Sequence, residues 1–208
     1  MNDNRNYVWD EQINARPEYP VIERWIADGA RVIDLGCGNG SLLAFLKARK
    51  HISEFGIELA PSGVAACRQR GLNVRAGRID VALADVADAA FDVAICNVTL
   101  QMVMYPEIVL KEMRRIARQQ IISFPNFAFV LNRLDLLWFG RMPRWGLFGY
   151  AWFNTGHIHQ LAINDFRATS GSLGLDIRAV VYLGKFGMFA RVLPNLFAQT
   201  AIFLLQSA

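Results

Sequence analysis

The residues with the clearest chemical capacity are Val32-Ile33-Asp34-Leu35-Gly36-Cys37-Gly38-Asn39-Gly40. An apolar run meets an acid, Asp34, and opens into glycines at 36, 38 and 40, with a helix-forming stretch from Ser41 to Arg49 behind them. The pattern reads as a buried strand, a sharp turn and a helix start. Glycine admits positive φ and lets the main chain approach a ligand with no Cβ between them. The N–H groups that open a helix attract anionic ligand groups such as a carboxylate. A second acid lies 24 residues beyond Asp34, where Phe55-Gly56-Ile57-Glu58 reads as a short apolar strand ending in a carboxylate. An ionised acid there offers only acceptors, which suits the two donors of a ribose diol. Each feature has a plainer reading: a tight turn without ligand for the glycines, a solvated strand end for Glu58. Together they point to a nucleoside-bearing cofactor.

The spacing separates two cofactor classes. A dinucleotide fingerprint, G-x-G-x-x-G or G-x-G-x-x-A, clamps a pyrophosphate. Here Gly36 and Gly38 fit, but the third position is Ser41 and the additional glycine falls early, at Gly40. Asp34-x-Gly36-x-Gly38-x-Gly40 resembles instead the first motif of class I S-adenosylmethionine (SAM)-dependent methyltransferases. That cofactor has no phosphate, and an acid ahead of the loop suits its cationic amino-acid end.

Such a loop needs a parallel sheet to hold it. Strands are expected at Arg31–Leu35, Glu54–Glu58, Asn73–Ala76, Phe91–Cys96 and Gln120–Phe124, alternating with helices at Ser41–Lys50, Ser62–Arg70 and Glu107–Ile116. That alternation predicts a doubly wound α/β fold. Pro20–Ala27 reads as a leading helix after a polar N-terminal extension. Beyond Phe124 the rhythm changes. Phe127–Phe139 reads as helical, Gly140–His159 as an aromatic-rich loop, and Asn164 as the cap of a helix reaching Leu173. Asp176–Leu183 and Thr200–Leu205 complete the strands, joined by Gly184–Gln199. The expectation is one domain over residues 1–208, with residues 127–160 as an embellishment on the substrate or partner face.

Composition agrees with a compact enzyme-sized chain: 208 residues, 53% of them hydrophobic, are enough to bury a large core. No uncharged apolar run of about 18 residues appears, and no signal-peptide core, so no membrane span and a cytoplasmic location are expected. Cys37, Cys67 and Cys96 are scattered, without a Cys-x-x-Cys pair, so no metal site or disulfide frame is expected. A net charge of +4 without interleaved aromatics and bases does not suggest nucleic-acid binding.

Several longer segments resemble the MetW family of methionine biosynthesis proteins, from about Arg31 to Leu205. They include Gly56-Ile57-Glu58, Thr99-Leu100-Gln101, Ser123-Phe124-Pro125-Asn126-Phe127, Gly140-Arg141-Met142-Pro143, Ile158-His159 and Leu193-Pro194-Asn195-Leu196. The resemblance implies a Rossmann-like class I methyltransferase fold with seven strands ordered 3-2-1-4-5-7-6, the last antiparallel. It also implies SAM as cofactor. Two departures stand out. The family usually reads Gly-Asp where this chain has Gly77-Arg78, and arginine has no acceptor for an adenine amino group. That leaves Asp80, a backbone carbonyl or stacking for the adenine. The family commonly reads Thr-Pro-Asn where this chain has Thr155-Gly156-His157.

Methyl transfer from a sulfonium is an in-line displacement, catalysed largely by positioning in a dry pocket. His157 and His159 are the candidates for a base, although either can simply order its loop. Asn97, directly after the fourth strand, is a further cofactor-facing candidate, or else a helix cap, and Gln101 a substrate-facing one. Cys37 and Cys96 are expected to line the cofactor cleft as small packing residues. Arg141, Trp145 and Tyr150 are the expected contacts for an acceptor or a protein partner. Two functions remain open. One is a methyltransferase acting on an unidentified small-molecule acceptor. The other, implied by the family, is an accessory subunit that activates a homoserine O-acyltransferase and uses SAM only as a signal.

Overall fold

Apolar side chains alternate along the central strands, so both faces of the sheet must be covered. In β1 (Arg31–Leu35), Val32 enters one apolar layer while Ile33 and Leu35 enter the other. In β4 (Phe91–Asn97), Val93 and Ile95 point one way, and Ala94 and Cys96 the other. The first layer is closed by α1 (Tyr19–Arg24), α2 (Ser41–Lys50) and Cys67 of α3 (Pro61–Gln69). The second is closed by α4 (Pro106–Ile116) and α6 (Ile163–Ser172). The remaining strands are β2 (Ser53–Glu58), β3 (Val74–Ala76), β5 (Ala117–Pro125), β6 (Leu175–Leu183) and β7 (Thr200–Ser207). This computed structural model describes residues 16–146 and 151–207.

The sheet order is β3-β2-β1-β4-β5-β7-β6. β1 to β5 run parallel, and β7 runs antiparallel to both its neighbours, β5 and β6. The expected class I methyltransferase topology is therefore the one observed, down to its reversed last strand. No described helix is long and apolar enough to cross a membrane.

The structure differs from expectation mostly where polar side chains hide regular backbone. β5 starts at Ala117, not Gln120, because Ala117 pairs with Phe91 and Gln119 with Gln206. Arg118 and Gln119 fall between the expected helix and strand, yet only the backbone is needed for pairing. α1 spans Tyr19–Arg24 and not Pro20–Ala27, since the chain turns through Ala27–Ala30. α5 (Val130–Phe139) starts three residues later than expected. Asn126 is drawn away from it, donating through Nδ2 to the carbonyls of Asn195 (3.1 Å) and Ala198 (2.9 Å). Asn164 is not a cap. α6 opens at Ile163, and Asp165 reaches back to accept the N–H of Ala162 at 3.2 Å. The connection before β7 contains two short helices, α7 (Met188–Val192) and α8 (Pro194–Phe197).

Candidate functional site

The strand order reverses direction between β1 and β4, and a doubly wound sheet opens a crevice at the carboxyl ends of such strands. Asp34, Glu58 and Asn97 sit at or next to those ends in β1, β2 and β4. The glycine loop is tied to β2. The Ile57 carbonyl accepts the N–H groups of Gly36 (2.8 Å) and Cys37 (3.2 Å), and Glu58 Oε2 accepts that of Gly38 (2.7 Å). Glu58 Oε1 accepts the N–H of Ala60 at 2.8 Å. Three successive loop N–H groups are thus satisfied by β2, so the loop's grip on a ligand rests on closeness more than on anion capture.

The glycines also answer to packing. Gly36 has φ +80°, and a Cβ there would collide with the Thr99 side chain. Gly40 has φ +76°, and a Cβ would lie 2.5 Å from Leu72 Cδ1 and 2.9 Å from Cys67 Sγ. Only glycine meets both demands, because a side chain would be strained at these φ values as well as crowded. Cys37 is buried with its sulfur 3.8 Å from that of Cys67, and this contact and burial hold its thiol protonated. Cys96 is buried within the apolar layer under β4, where burial pushes its thiol up as well. Neither is an activated nucleophile.

Asp34 is the electrostatic anomaly. Its carboxyl is 2% exposed, and Oδ1 has no hydrogen-bond partner among the described residues. Burial, with the Glu58 charge as a second cause, pushes its pKa up to about 8. A buried carboxyl oxygen without a partner is costly unless something completes it. An ammonium would pair with it, and Glu58 beside it has the acceptors for a diol. These residues therefore fit the charge and hydrogen-bonding pattern of SAM. Tyr19 of α1 is buried and close enough to feel the Asp34 charge. No motif marks it in the sequence.

Asp80, the acid the sequence offers to an adenine, is already engaged by protein donors. Arg78 grips it through Nε–Oδ1 (2.9 Å) and Nη2–Oδ2 (3.0 Å), and Oδ2 also accepts the N–H of Met104 at 2.9 Å. The Arg78 hydrogen bonds hold the Asp80 carboxyl below the usual carboxylate range. Replacing Arg78 with Asp to restore the family's acid would set two carboxylates where an ion pair now stands. The expected result in calorimetry is no gain in SAM affinity; a clear gain would show that the pair blocks the adenine site.

At the end of β4 the backbone bends sharply. Val98 has φ +53°, strained for a β-branched residue. Its N–H is held by Ser123 O and Ser123 Oγ, both at 3.0 Å. Asn97 caps no helix, and its Oδ1 accepts the Ser123 hydroxyl at 2.6 Å. Gln101 is buried and donates to Val98 O at 3.0 Å. Its own carbonyl accepts the N–H groups of Ile158 (3.0 Å) and His159 (3.1 Å). Gln101 thus staples the histidine loop to the β4 bend. His157 is buried with Nε2 3.5 Å from Gln101 Nε2, whereas His159 is exposed and borders a small apolar cavity with Leu161 and Phe166.

The partner-side candidates lie elsewhere along the same end of the sheet. Trp145, with Phe129 and Arg144, lines a cavity of about 320 Å³ beyond the ends of β5 and β7, two strands away from β1. Arg141 is tied to Asp135 at 3.4 Å and stacks 4.7 Å above the Phe139 ring. Tyr150 lies outside the described residues.

Known proteins share this architecture. The structure of a possible histamine N-methyltransferase from Thermotoga maritima aligns with a TM-score of 0.67 at 18% identity, over 92% of this chain and 88% of that one. Magnesium protoporphyrin IX methyltransferase from Synechocystis, solved with bound SAH, aligns with a TM-score of 0.65 at 18% identity, over 91% and 82%. At this identity the likeness establishes the fold alone. A bifunctional methionine biosynthesis protein MetXA/MetW from Rhodopirellula baltica is 36% identical over 166 residues, 76% of this chain and 27% of that protein. A ubiquinone biosynthesis O-methyltransferase from Paracidovorax citrulli is 32% identical over 126 residues, 53% of this chain and 52% of that one. The chain therefore spans between about a quarter and a half of these curated relatives. The family described as "Methionine biosynthesis protein MetW" matches residues 16–205, nearly the whole of the described fold, and the chain belongs to that family.

Proposed function

We propose that this protein binds SAM, or its demethylated product, at the ends of β1 and β2, and acts in the cytoplasm as a methyltransferase-like component of methionine biosynthesis. The observation that carries the reading is the buried Asp34 carboxyl beside Glu58 at the glycine loop, whose Oδ1 has no hydrogen-bond partner among the described residues. When bound, SAM supplies an electrophilic methyl group. The chain's own residues have three tasks. Asp34 holds an ammonium, Glu58 accepts from ribose hydroxyls while anchoring Gly38, and the strained Val98 turn with Asn97 and Gln101 walls the acceptor side. Transfer to a small acceptor then rests on positioning, with His157 as the candidate to take a proton through the Gln101 staple region.

A second reading has specific support. The Rhodopirellula relative joins a MetW portion to MetXA in one chain, and the family resemblance implies support of a homoserine O-acyltransferase. In that reading the SAM site serves as a sensor. One experiment addresses both. The purified chain is titrated with SAM, SAH and NADH, then mixed with the acyltransferase of the same organism in a pull-down and an acyl-transfer assay. SAM binding without NADH binding, together with a rise in acyl transfer, is the expected result. Tight NADH binding with neither SAM form bound would overturn the cofactor assignment. Absence of association, together with methylation of a small acceptor, would leave only the methyltransferase reading.

A further inference from the structure

α5 is packed inside out. Its inward residues are polar, Asn132 and Asp135, whereas Leu137, Trp138 and Phe139 are 74%, 68% and 64% exposed. α7 turns only the small Ala190 inward and leaves Met188, Phe189 and Val192 at 77%, 64% and 70% exposed. Large apolar side chains exposed in this number on two neighbouring segments mark a candidate interaction site. The two helices are linked through Phe129, whose ring lies 5.9 Å from Phe186 and 6.4 Å from Trp145. The cavity lined by Phe129, Arg144 and Trp145 opens beside that link.

Charge narrows the occupant. Residues 184–199 contain no Asp or Glu, and Arg144, Lys185 and Arg191 lie in or near the two helices, while Arg141 is already paired with Asp135 of α5. Such a face repels basic surfaces and suits an apolar one rimmed with carboxylates. We propose that α5 and α7 form one docking face for an acid-rimmed apolar surface of the acyltransferase, with the cavity taking a single apolar anchor side chain. The proposal rests on the accessory reading above. A relative that carries its MetXA portion in the same chain supports a partner held permanently close. The sequence expectation had put the contact within residues 127–160; α7, a stretch that read as a mere connection, doubles it.

The test compares the full-length chain with Phe189→Ser/Val192→Ser and Trp138→Ser variants, with SAM affinity as the control for folding. Association with the acyltransferase is measured by light scattering and by stimulation of acyl transfer. The expected result is at least a tenfold loss of association in each variant with SAM binding unchanged. If the unaltered chain binds and the variants bind equally well, the face is wrong while the accessory reading survives. If the unaltered chain does not bind, both fall. If the chain alone dimerises, or sediments with anionic vesicles, and the variants lose only that property, the face belongs to a second copy or a membrane and the proposal is overturned.

Discussion

Glu58→Ala is expected to weaken SAM binding by about a hundredfold or more, whereas Asp80→Ala changes it less than fivefold. Glu58 would accept from ribose hydroxyls while holding the N–H groups of Gly38 and Ala60. Hydrogen bonds to a charged group are worth about 1.5–3 kcal/mol each. Losing the ribose contacts and slackening the loop together amount to at least ~3 kcal/mol, roughly a factor of a hundred in affinity. The same change leaves two backbone donors without their acceptor, so thermal stability should fall as well. Glu58→Gln separates the two effects: its amide oxygen keeps one loop bond and its charge is lost. Asp80 is engaged by Arg78 and Met104, so its removal mainly loosens a rim. Calorimetry on the three variants checks this, and equal losses for Glu58→Ala and Asp80→Ala would place the ribose elsewhere.

The positions of Glu58 and Asp34 at their strand ends were legible in the sequence because they follow from local order. A strand that ends in an acid before a glycine turn can be recognised from nine consecutive residues. The alternation of strands and helices gave the α/β class in the same way, whereas the strand order came with the family resemblance and not from any local pattern. What was not legible depends on contacts across the chain. Arg78 and Asp80 are two residues apart, yet their pairing depends on a turn that also brings Met104 N–H onto Asp80. The Gln101 carbonyl serves residues 158 and 159, and no spacing rule connects them. α5 misled most. Its sequence reads as a helix within the embellished face, and only the fold reveals that its polar side is the buried one. Tyr150 lies outside the described residues and retains only its sequence expectation.

Asp34 should make both folding and ligand binding depend on protons. Its folded pKa of about 8 lies above the ordinary 3.8, so between these values the native state holds a proton that the unfolded chain has released. Its contribution to stability is therefore full below the ordinary value and is lost as pH rises towards 8. Integrating the two titrations from pH 6 to pH 8 gives a loss of about 2 kcal/mol for the ligand-free protein, or roughly 4–8 °C in Tm for a chain of this size. Asp34→Asn removes the titration, so its Tm should be much flatter over the same range and higher at pH 8. Binding reverses the preference. An ammonium beside Asp34 favours the ionised carboxylate, so SAM binding should expel close to one proton at pH 6–7, where the ligand's own amino group, ordinarily near 7.7–8.0, is still charged. Affinity should then rise up to about tenfold per pH unit across that interval. Titrations in two buffers with different ionisation enthalpies measure the released proton directly. Asp34→Asn should bind at least tenfold more weakly and show no buffer dependence. Proton release that persists in Asp34→Asn would assign the linkage to another group. A binding enthalpy independent of buffer in the unaltered protein would mean that the cofactor's amino group does not meet Asp34.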